Sequence, residues 1–509
     1  MAFLSVVTAP AITSTTLGDL FEEIGTREPD AMAYVDGEQR LTYGGWLAGA
    51  DSLAAELRAR GVGPGDVVAF WLASCIDYAV AYAACTRLGA VATGINTRLG
   101  PAEVSAILNR CEPAALLHEG TTFAFPGDAP LPKVLMPRAE VAEAWQAGTE
   151  LTDRPHRDPG DPVCIVWTSG TTGLPKGAWF DHRAMEASAR LSNVLSAYHD
   201  VRLLPVPFPH AGYMNKLWDQ VEFVINSVLT GTPWTVESML DNMVRERVTV
   251  GQGVPTQWAK FMDLPQLADA DLSSLRLAST GSAPVPPDLA EKMRTRLGCP
   301  IVVRYACTES SSITGTRVDD PPEVLLHTVG RPQEGIELKL VGEDGSEVSQ
   351  GDVGVVTLRS PCSMRGYWND PERTAEALSP DGWITTSDLG MLRDDGNLVL
   401  CGRTSEMYIR GGFNVHPLEV ERVLADHPKI SRVAIVGTPA PTIGEIGVAF
   451  VEPVDADDPP TLDELRAFVR EELADYKAPD QLEVLTELPL TAMLKIDKRV
   501  LQERLAASG

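Results

Sequence analysis

Thr168 to Gly177 reads TSGTTGLPKG and follows the short apolar run Val163 to Trp167. The run predicts a buried strand, and the stretch behind it a loop. Its composition is unusual: four Ser or Thr hydroxyls, three glycines and Lys176 among ten residues. Glycine lets a backbone approach a ligand closely and adopt positive φ, the freed amides and hydroxyls donate to anionic oxygens, and lysine adds a full charge. Phosphate is the guest that suits this chemistry. A solvated linker is the plainer reading of a Gly/Ser/Thr cluster, but the strand in front of it and the lysine within it argue against that. A nucleotide P-loop needs G-x-x-x-x-G-K and then Ser or Thr. Neither Gly170 nor Gly173 starts that spacing, and Gly177 follows the lysine, so this is a phosphate loop of another kind.

Working downstream, Arg202 to Pro207 predicts a strand ending in Pro207-Phe208-Pro209-His210-Ala211-Gly212-Tyr213, a rigid turn with two aromatics and a histidine. Ligands of open α/β sheets sit beyond the carboxyl ends of strands, so this turn can wall a pocket beside the phosphate loop. By itself His210 reads more readily as a structural histidine. A strand at Leu275 to Ala278 leads into Ser279-Thr280-Gly281-Ser282-Ala283-Pro284, which in isolation is a turn. Val302 to Arg304 leads into Tyr305-Ala306-Cys307-Thr308-Glu309. A hydroxyl and a carboxylate just past a strand end suit Mg2+ and phosphate, although Glu309 alone reads as a solvated loop residue.

These stretches closely resemble the signatures of the adenylate-forming superfamily, which contains acyl-CoA synthetases, luciferases and peptide-synthetase adenylation domains, and the chain is most similar to the acyl-CoA synthetases. The resemblance implies that Thr168, Ser169, Gly170, Thr171, Thr172, Gly173 and Lys176 bind ATP phosphates. It implies that Phe208, His210, Tyr213 and Cys307 line the acid pocket, and that Gly281, Ser282 and Ala283 lie against adenine and the acyl group. Tyr305 would pack on adenine, Thr308 touch the α-phosphate and Glu309 hold Mg2+. In Gly382 to Gly390, GWITTSDLG, Asp388 would take the ribose hydroxyls, a role that an ionised carboxylate fills well. Cys401 to Met407 matches the domain boundary, with Arg403 binding ribose or phosphate and Ser405 as the hinge. Gly411 and Gly412 would admit the pantetheine arm of CoA, and Lys495 in Leu488 to Lys498 would serve adenylation. The chain departs from the family pattern at Ala306, Ser387, Ser405 and Leu494.

At 509 residues the chain is too long for one hydrophobic core. Before the phosphate loop, Leu17 to Glu28 and Tyr43 to Arg60 have helical spacing, Met32 to Val35 and Gln39 to Thr42 form a hairpin about Asp36-Gly37, and Asp66 to Trp71 and Val91 to Ile95 read as strands. Pro126 to Pro137 and Asp153 to Pro162 read as loops. Strands separated by helices imply wound, mostly parallel sheets. From about residue 330 short alternating strands indicate a small β subdomain. The fold class expected is therefore α/β: a large N-terminal ATP- and acid-binding domain, 1–404, of two α/β subdomains and the β subdomain, then a small mobile α+β C-terminal domain, 405–509.

A formal net charge of -27 repels nucleic acid and anionic lipid, so ATP needs a local positive site of the kind the loop supplies. The eight cysteines contain no C-x-x-C pair and the histidines no zinc spacing. The N-terminus lacks a charged n-region, and the apolar stretch Val68 to Ile95 is interrupted by Asp77 and Arg87, so a cytoplasmic enzyme without a transmembrane segment is expected, with a homodimer as one possible assembly.

The resemblance implies ATP, Mg2+ and coenzyme A as cofactors and a small carboxylic acid as substrate. The acid would be activated to an acyl-adenylate and passed to the CoA thiol. Transfer to an amine or a carrier-protein thiol is the alternative, and a degenerate nucleotide-binding protein is the third reading.

Overall fold

The computed structural model describes residues 10–120, 125, 129–168, 175–441, 443–491 and 495–508. Its first elements follow from local chemistry. The helix Leu17–Arg27 starts where the Thr16 hydroxyl accepts from the Asp19 amide, and it buries Leu17, Leu20, Phe21 and Ile24, the i, i+3, i+4, i+7 stripe of an amphipathic helix. The expected hairpin forms as Met32–Asp36 and Gln39–Thr42, with Gly37 at φ 58° in its turn. The helix Ile76–Leu88 is buried on every side, which is why its sequence resembled a membrane segment. Among the described residues no helix is long and apolar enough to cross a membrane.

Two wound sheets make up most of the chain. The first has seven strands in the order Gly366–Tyr367, Lys176–Asp181, Pro162–Thr168, Val91–Gly94, Val67–Trp71, Ala115–His118 and Val134–Pro137. Its members from Pro162–Thr168 onward run parallel, and the first two are antiparallel additions. The second has nine strands in the order Arg331–Pro332, Ser311–Gly315, Ile301–Cys307, Leu277–Gly281, Val250–Gly253, Val201–Leu204, Asn226–Leu229, Met32–Asp36 and Gln39–Thr42.

The two sheets are interlocked, which the succession of elements along the chain did not announce. The N-terminal hairpin joins the second sheet, with Tyr34 paired to Ser227, whereas the late strand Gly366–Tyr367 closes the edge of the first, with Gly366 paired to Trp179. Apolar burial between the sheets drives the exchange: one continuous core joins Leu17, Trp46, Phe70 and Tyr78 to Phe180, Phe208 and Trp218. Val134–Pro137, expected to be loop, is a parallel edge strand on Ala115–His118, because Val134 and Met136 bury into that core. Residues 153–161 are loop as expected.

A four-stranded antiparallel sheet follows: Glu337–Val341, Val353–Arg359, Ile384–Leu392 and Leu398–Arg403. The next strand, Tyr408–Arg410, belongs to a separate sheet with Phe413–Val415, Gly444–Pro453, Ile430–Ala440 and Gln481–Val484. The helices Pro417–Ala425 and Leu462–Glu472 cover that sheet, and Tyr408, Val420, Leu424, Ile435, Val451 and Leu465 form a core of their own.

Candidate functional site

A cleft of about 2410 Å3 opens at the carboxyl ends of the second sheet's strands, and Lys495 lines it as well. Thr168 and Lys176 face each other across paired strands, Pro162–Thr168 and Lys176–Asp181, and both line the cleft. Ser169, Gly170, Thr171, Thr172 and Gly173, the heart of the expected phosphate loop, lie outside the described residues. The Lys176 Nζ sits 5.3 Å from the centre of the Tyr367 ring, and Tyr367 Oη donates to Glu309 Oε1 at 2.8 Å. Burial, then the Glu309 carboxylate, push the Tyr367 phenol well up, so it stays a donor.

The strand Ile301–Cys307 carries the next group. Tyr305 is buried and its Oη donates to Asp388 Oδ2 at 2.7 Å, while Arg403 Nε donates to Asp388 Oδ1 at 3.0 Å. Asp388 pairs with Arg403 across neighbouring strands of the four-stranded sheet, so strand register itself sets this contact. Cys307, Thr308 and Glu309 follow at the strand's end, half-buried on the cleft wall. Opposite them, Gly281 packs so closely that a Cβ would come within 2.2 Å of the Arg304 carbonyl oxygen, and Ser282 is held at φ 66°. Gly281, Ser282 and Ala283 all line the cleft. Positive φ at a non-glycine residue costs energy and concentrates at ligand sites.

His210 caps the short helix Ala211–Met214 by accepting from the Gly212 amide at Nδ1, 3.1 Å away, which leaves Nε2 as the N–H donor of a neutral ring. Burial, reinforced by the Lys495 charge, takes its pKa down to about 4, so the ring is neutral at pH 7. Lys495 itself is brought down to about 8 by burial first and by Arg403 second, with Asp388 acting the other way. Its backbone is held on both sides: Thr491 donates its amide to the Lys495 carbonyl at 2.7 Å, and Leu490 bridges Ile496. Lys498 anchors the loop through ion pairs to Glu406, 2.6 Å, and Glu421, 2.7 Å. Leu494 lies outside the described residues.

Two expectations about the acid pocket are corrected. Phe208 and Tyr213 do not line the cleft: they stack on each other, 3.7 Å apart and 3° from parallel, inside the core against Tyr34 and Tyr78. The Tyr213 hydroxyl is satisfied there by Tyr34 at 2.8 Å, so turning outward would forfeit both packing and a buried hydrogen bond. The backbone of the same turn, Pro209 to Gly212, faces the cleft instead, with His210, and Cys307 lines it as expected.

The structure also keeps Gly411 and Gly412 away from the cleft. They form the exposed turn between Tyr408–Arg410 and Phe413–Val415, at φ 58° and 88°, because the face turned inward is the one bearing Lys495. Ser405 is exposed between Gly402, at φ 139°, and the strand starting at Tyr408. Sequence reading missed Tyr367, Arg304 and Lys216, which also line the cleft. Tyr367 had a local signal only in hindsight, since its role depends on a strand pairing with residues nearly two hundred positions earlier.

Glu309 suits Mg2+ as an oxygen donor with Oε2 left over after Tyr367 takes Oε1. Among the described residues no group of three or more His, Cys, Asp or Glu side chains could hold a metal by itself, so phosphate oxygens would complete the shell.

The profile described as AMP-binding enzyme matches residues 21–368, and that of the AMP-binding enzyme C-terminal domain matches 419–495. The chain is 32% identical over 538 residues to a 3-[(3aS,4S,7aS)-7a-methyl-1,5-dioxo-octahydro-1H-inden-4-yl]propanoyl:CoA ligase of Rhodococcus jostii, covering 97% of this chain and 99% of the relative. It is 34% identical over 483 residues to a feruloyl-CoA synthase of an Amycolatopsis species, covering 94% and 96%. Among solved structures, the anthranilate CoA ligase AuaEII in complex with anthranoyl-AMP superposes with a TM-score of 0.88 at 26% identity, over 97% of this chain and 98% of that one.

Proposed function

The chain belongs to the AMP-binding enzyme family, and from that premise we propose that its cleft performs both halves of an acyl-CoA synthesis, with Lys495 serving the first half alone. The chain is an ATP-dependent, AMP-forming carboxylate–CoA ligase. The observation that carries the residue assignment is convergence: Lys495, from the last turn of the chain, lines the same cleft as Thr308, Glu309, Asp388 and His210.

In the first half, a carboxylate oxygen of the acid bonds to the α-phosphorus of ATP as the bond to pyrophosphate breaks. Two anions must meet, so the protein's main task is to offset their charge before they react. Lys495 offers an ammonium to the α-phosphate and carboxylate, Thr308 a hydroxyl, and Lys176 a second cation toward the leaving phosphates. The His210 Nε2–H orients the acid carboxylate without adding charge, since its ring is neutral. Asp388 accepts from the ribose hydroxyls, and Tyr305 packs on adenine with its hydroxyl fixed by Asp388. Glu309 would hold Mg2+, which when bound neutralises charge on the phosphates.

In the second half, the CoA thiolate attacks the acyl carbonyl and AMP departs with the bonding pair. Lys495 is then superfluous and its loop blocks one side of the cleft. Rotation about Ser405 would withdraw that loop and bring the Gly411–Gly412 turn to the opening it leaves. Gly402, at φ 139°, already holds a conformation that only glycine adopts readily beside that hinge. All eight cysteines are free thiols, which supports a reducing compartment such as the cytoplasm.

Pyrophosphate release with ATP, Mg2+ and a panel of carboxylic acids, with and without CoA, followed by mass analysis, tests this reading. Acid-dependent pyrophosphate with an acyl-CoA product is expected. Pyrophosphate without a thioester would move the second half to an amine or carrier thiol, and no pyrophosphate with any acid would overturn the reading.

A further inference from the structure

Two cations line the cleft wall, and neither makes an ion pair among the described residues. Lys216 follows the Pro207–Tyr213 turn, and its Nζ donates to the Ser188 carbonyl at 3.3 Å and Ser192 Oγ at 3.0 Å. An ammonium has three N–H groups, so one is left over. Arg304 projects from the strand Ile301–Cys307 on the same face as Val302, which packs beside Leu195, just past Ser192. Its guanidinium lies over Gly315, its cross-strand partner: a Cβ there would come within 2.1 Å of Nη1. Only a glycine opposite leaves room for the arginine to lie this way.

The local charge does not balance. Arg304 makes no ion pair among the described residues, and its Nε is buried without a partner. The nearby carboxylate, Asp219, is already bound to Arg202 at 2.7 Å. Around Lys216, Asp219 acts in favour of the charge, and Arg202 and Arg304 act against it. Burial pushes Lys216 below its usual range against the pull of Asp219, and takes Arg304 down to about 10. Charges held out of water without partners are costly, and they persist where a ligand supplies the missing charge.

Both residues line the cleft. Arg304 and Tyr305 are consecutive on a strand, so their side chains point to opposite faces, and Tyr305 is the one that reaches Asp388. The ATP-binding groups already identified leave these two cations unused. We propose that the substrate is a dicarboxylic acid, whose second carboxylate is received by Arg304 and Lys216 while the first is adenylated at Lys495. This rests on the ligase reading above.

The test is kcat/KM for pyrophosphate release with chain-matched pairs: succinic against butyric, adipic against hexanoic, phthalic against benzoic acid. A site built to bind a polar group rejects the analogue lacking it strongly, so at least one diacid should exceed its monoacid by about 100-fold or more. Arg304→Met and Lys216→Met should each collapse that ratio, chiefly through KM for the diacid, and Arg304→Lys should restore part of it. The ratio is the readout because a merely structural defect lowers both acids together. Monoacids equal to or better than diacids in the unmodified enzyme, with thioester formed and the ratio unmoved in both variants, would overturn the inference and leave the ligase reading intact. Should no acid release pyrophosphate, the ligase reading fails, and calorimetric titration of the same diacids and monoacids into the full chain decides the inference separately: diacid-selective binding weakened by Lys216→Met sustains it, and its absence overturns it.

Discussion

Tyr367 donates a hydrogen bond to Glu309 at 2.8 Å while its ring lies 5.3 Å from the Lys176 ammonium, so a single phenol ties Lys176 to the carboxylate proposed to hold Mg2+. Tyr367→Phe keeps the ring and removes only the donor. A hydrogen bond to a charged group contributes about 1.5–3 kcal/mol, so kcat/KM should fall by about 10-fold or more, with a higher Mg2+ concentration needed for half-maximal rate. Pyrophosphate release titrated with Mg2+ measures both, and an unchanged Mg2+ requirement would separate Tyr367 from the metal.

Lys495 has its pKa depressed to about 8, chiefly by burial. The charged form does the work, so the adenylation rate should be full below pH 8 and decline as pH rises through it, whereas thioester formation from supplied acyl-adenylate should lack that limb. Lys495→Ala should abolish the first half and retain much of the second. Equal loss of both halves would show that the lysine serves the fold or both steps.

Asp388 accepts from Tyr305 and Arg403 at once. Asp388→Ala removes the proposed ribose acceptor and frees both neighbours, and the KM for ATP should rise by about 10–100-fold, the scale of a lost charged hydrogen-bond partner. Saturation curves in ATP and in the acid distinguish this from general damage, because the acid KM should move far less.

His182 and His210 both have folded-state pKa values lowered from 6.5 to about 4, by burial first, with Arg157 adding to the shift at His182 and Lys495 at His210. The unfolded chain binds these protons first, so the stability they contribute is complete above about pH 6.5 and is lost as pH falls toward 4. His182 Nδ1 accepts the Leu17 amide at 3.0 Å, so its protonation would also detach the start of the helix Leu17–Arg27. Melting temperature measured from pH 7 to 4 should drop, and His182→Gln should make the drop shallower. An unaltered acid limb would assign it to carboxylates instead.

Local signals were legible wherever they were dense. The Gly, hydroxyl and lysine content of TSGTTGLPKG indicated phosphate chemistry, and the strand in front of it forms as Pro162–Thr168. Thr308, Glu309, Asp388, Arg403 and Lys495 do reach one cleft, and the hairpin at Asp36-Gly37 forms where its turn residues demand. What could not be read was the direction in which a side chain faces. Phe208, His210 and Tyr213 share one short turn, yet the two aromatics stack inward and only the histidine reaches the cleft.

The sequence by itself determined the class of chemistry and the order of its parts, because phosphate loops, turns and strand-end carboxylates are written in neighbouring residues. Only the tertiary structure decided that Tyr367 supports Glu309, that Phe208 and Tyr213 belong to the core, and that Arg304 and Lys216 line one cleft without an ion pair among the described residues. Each depends on packing between segments far apart in the chain, where the gain from burying apolar surface and pairing buried polar groups selects one arrangement that no local pattern encodes.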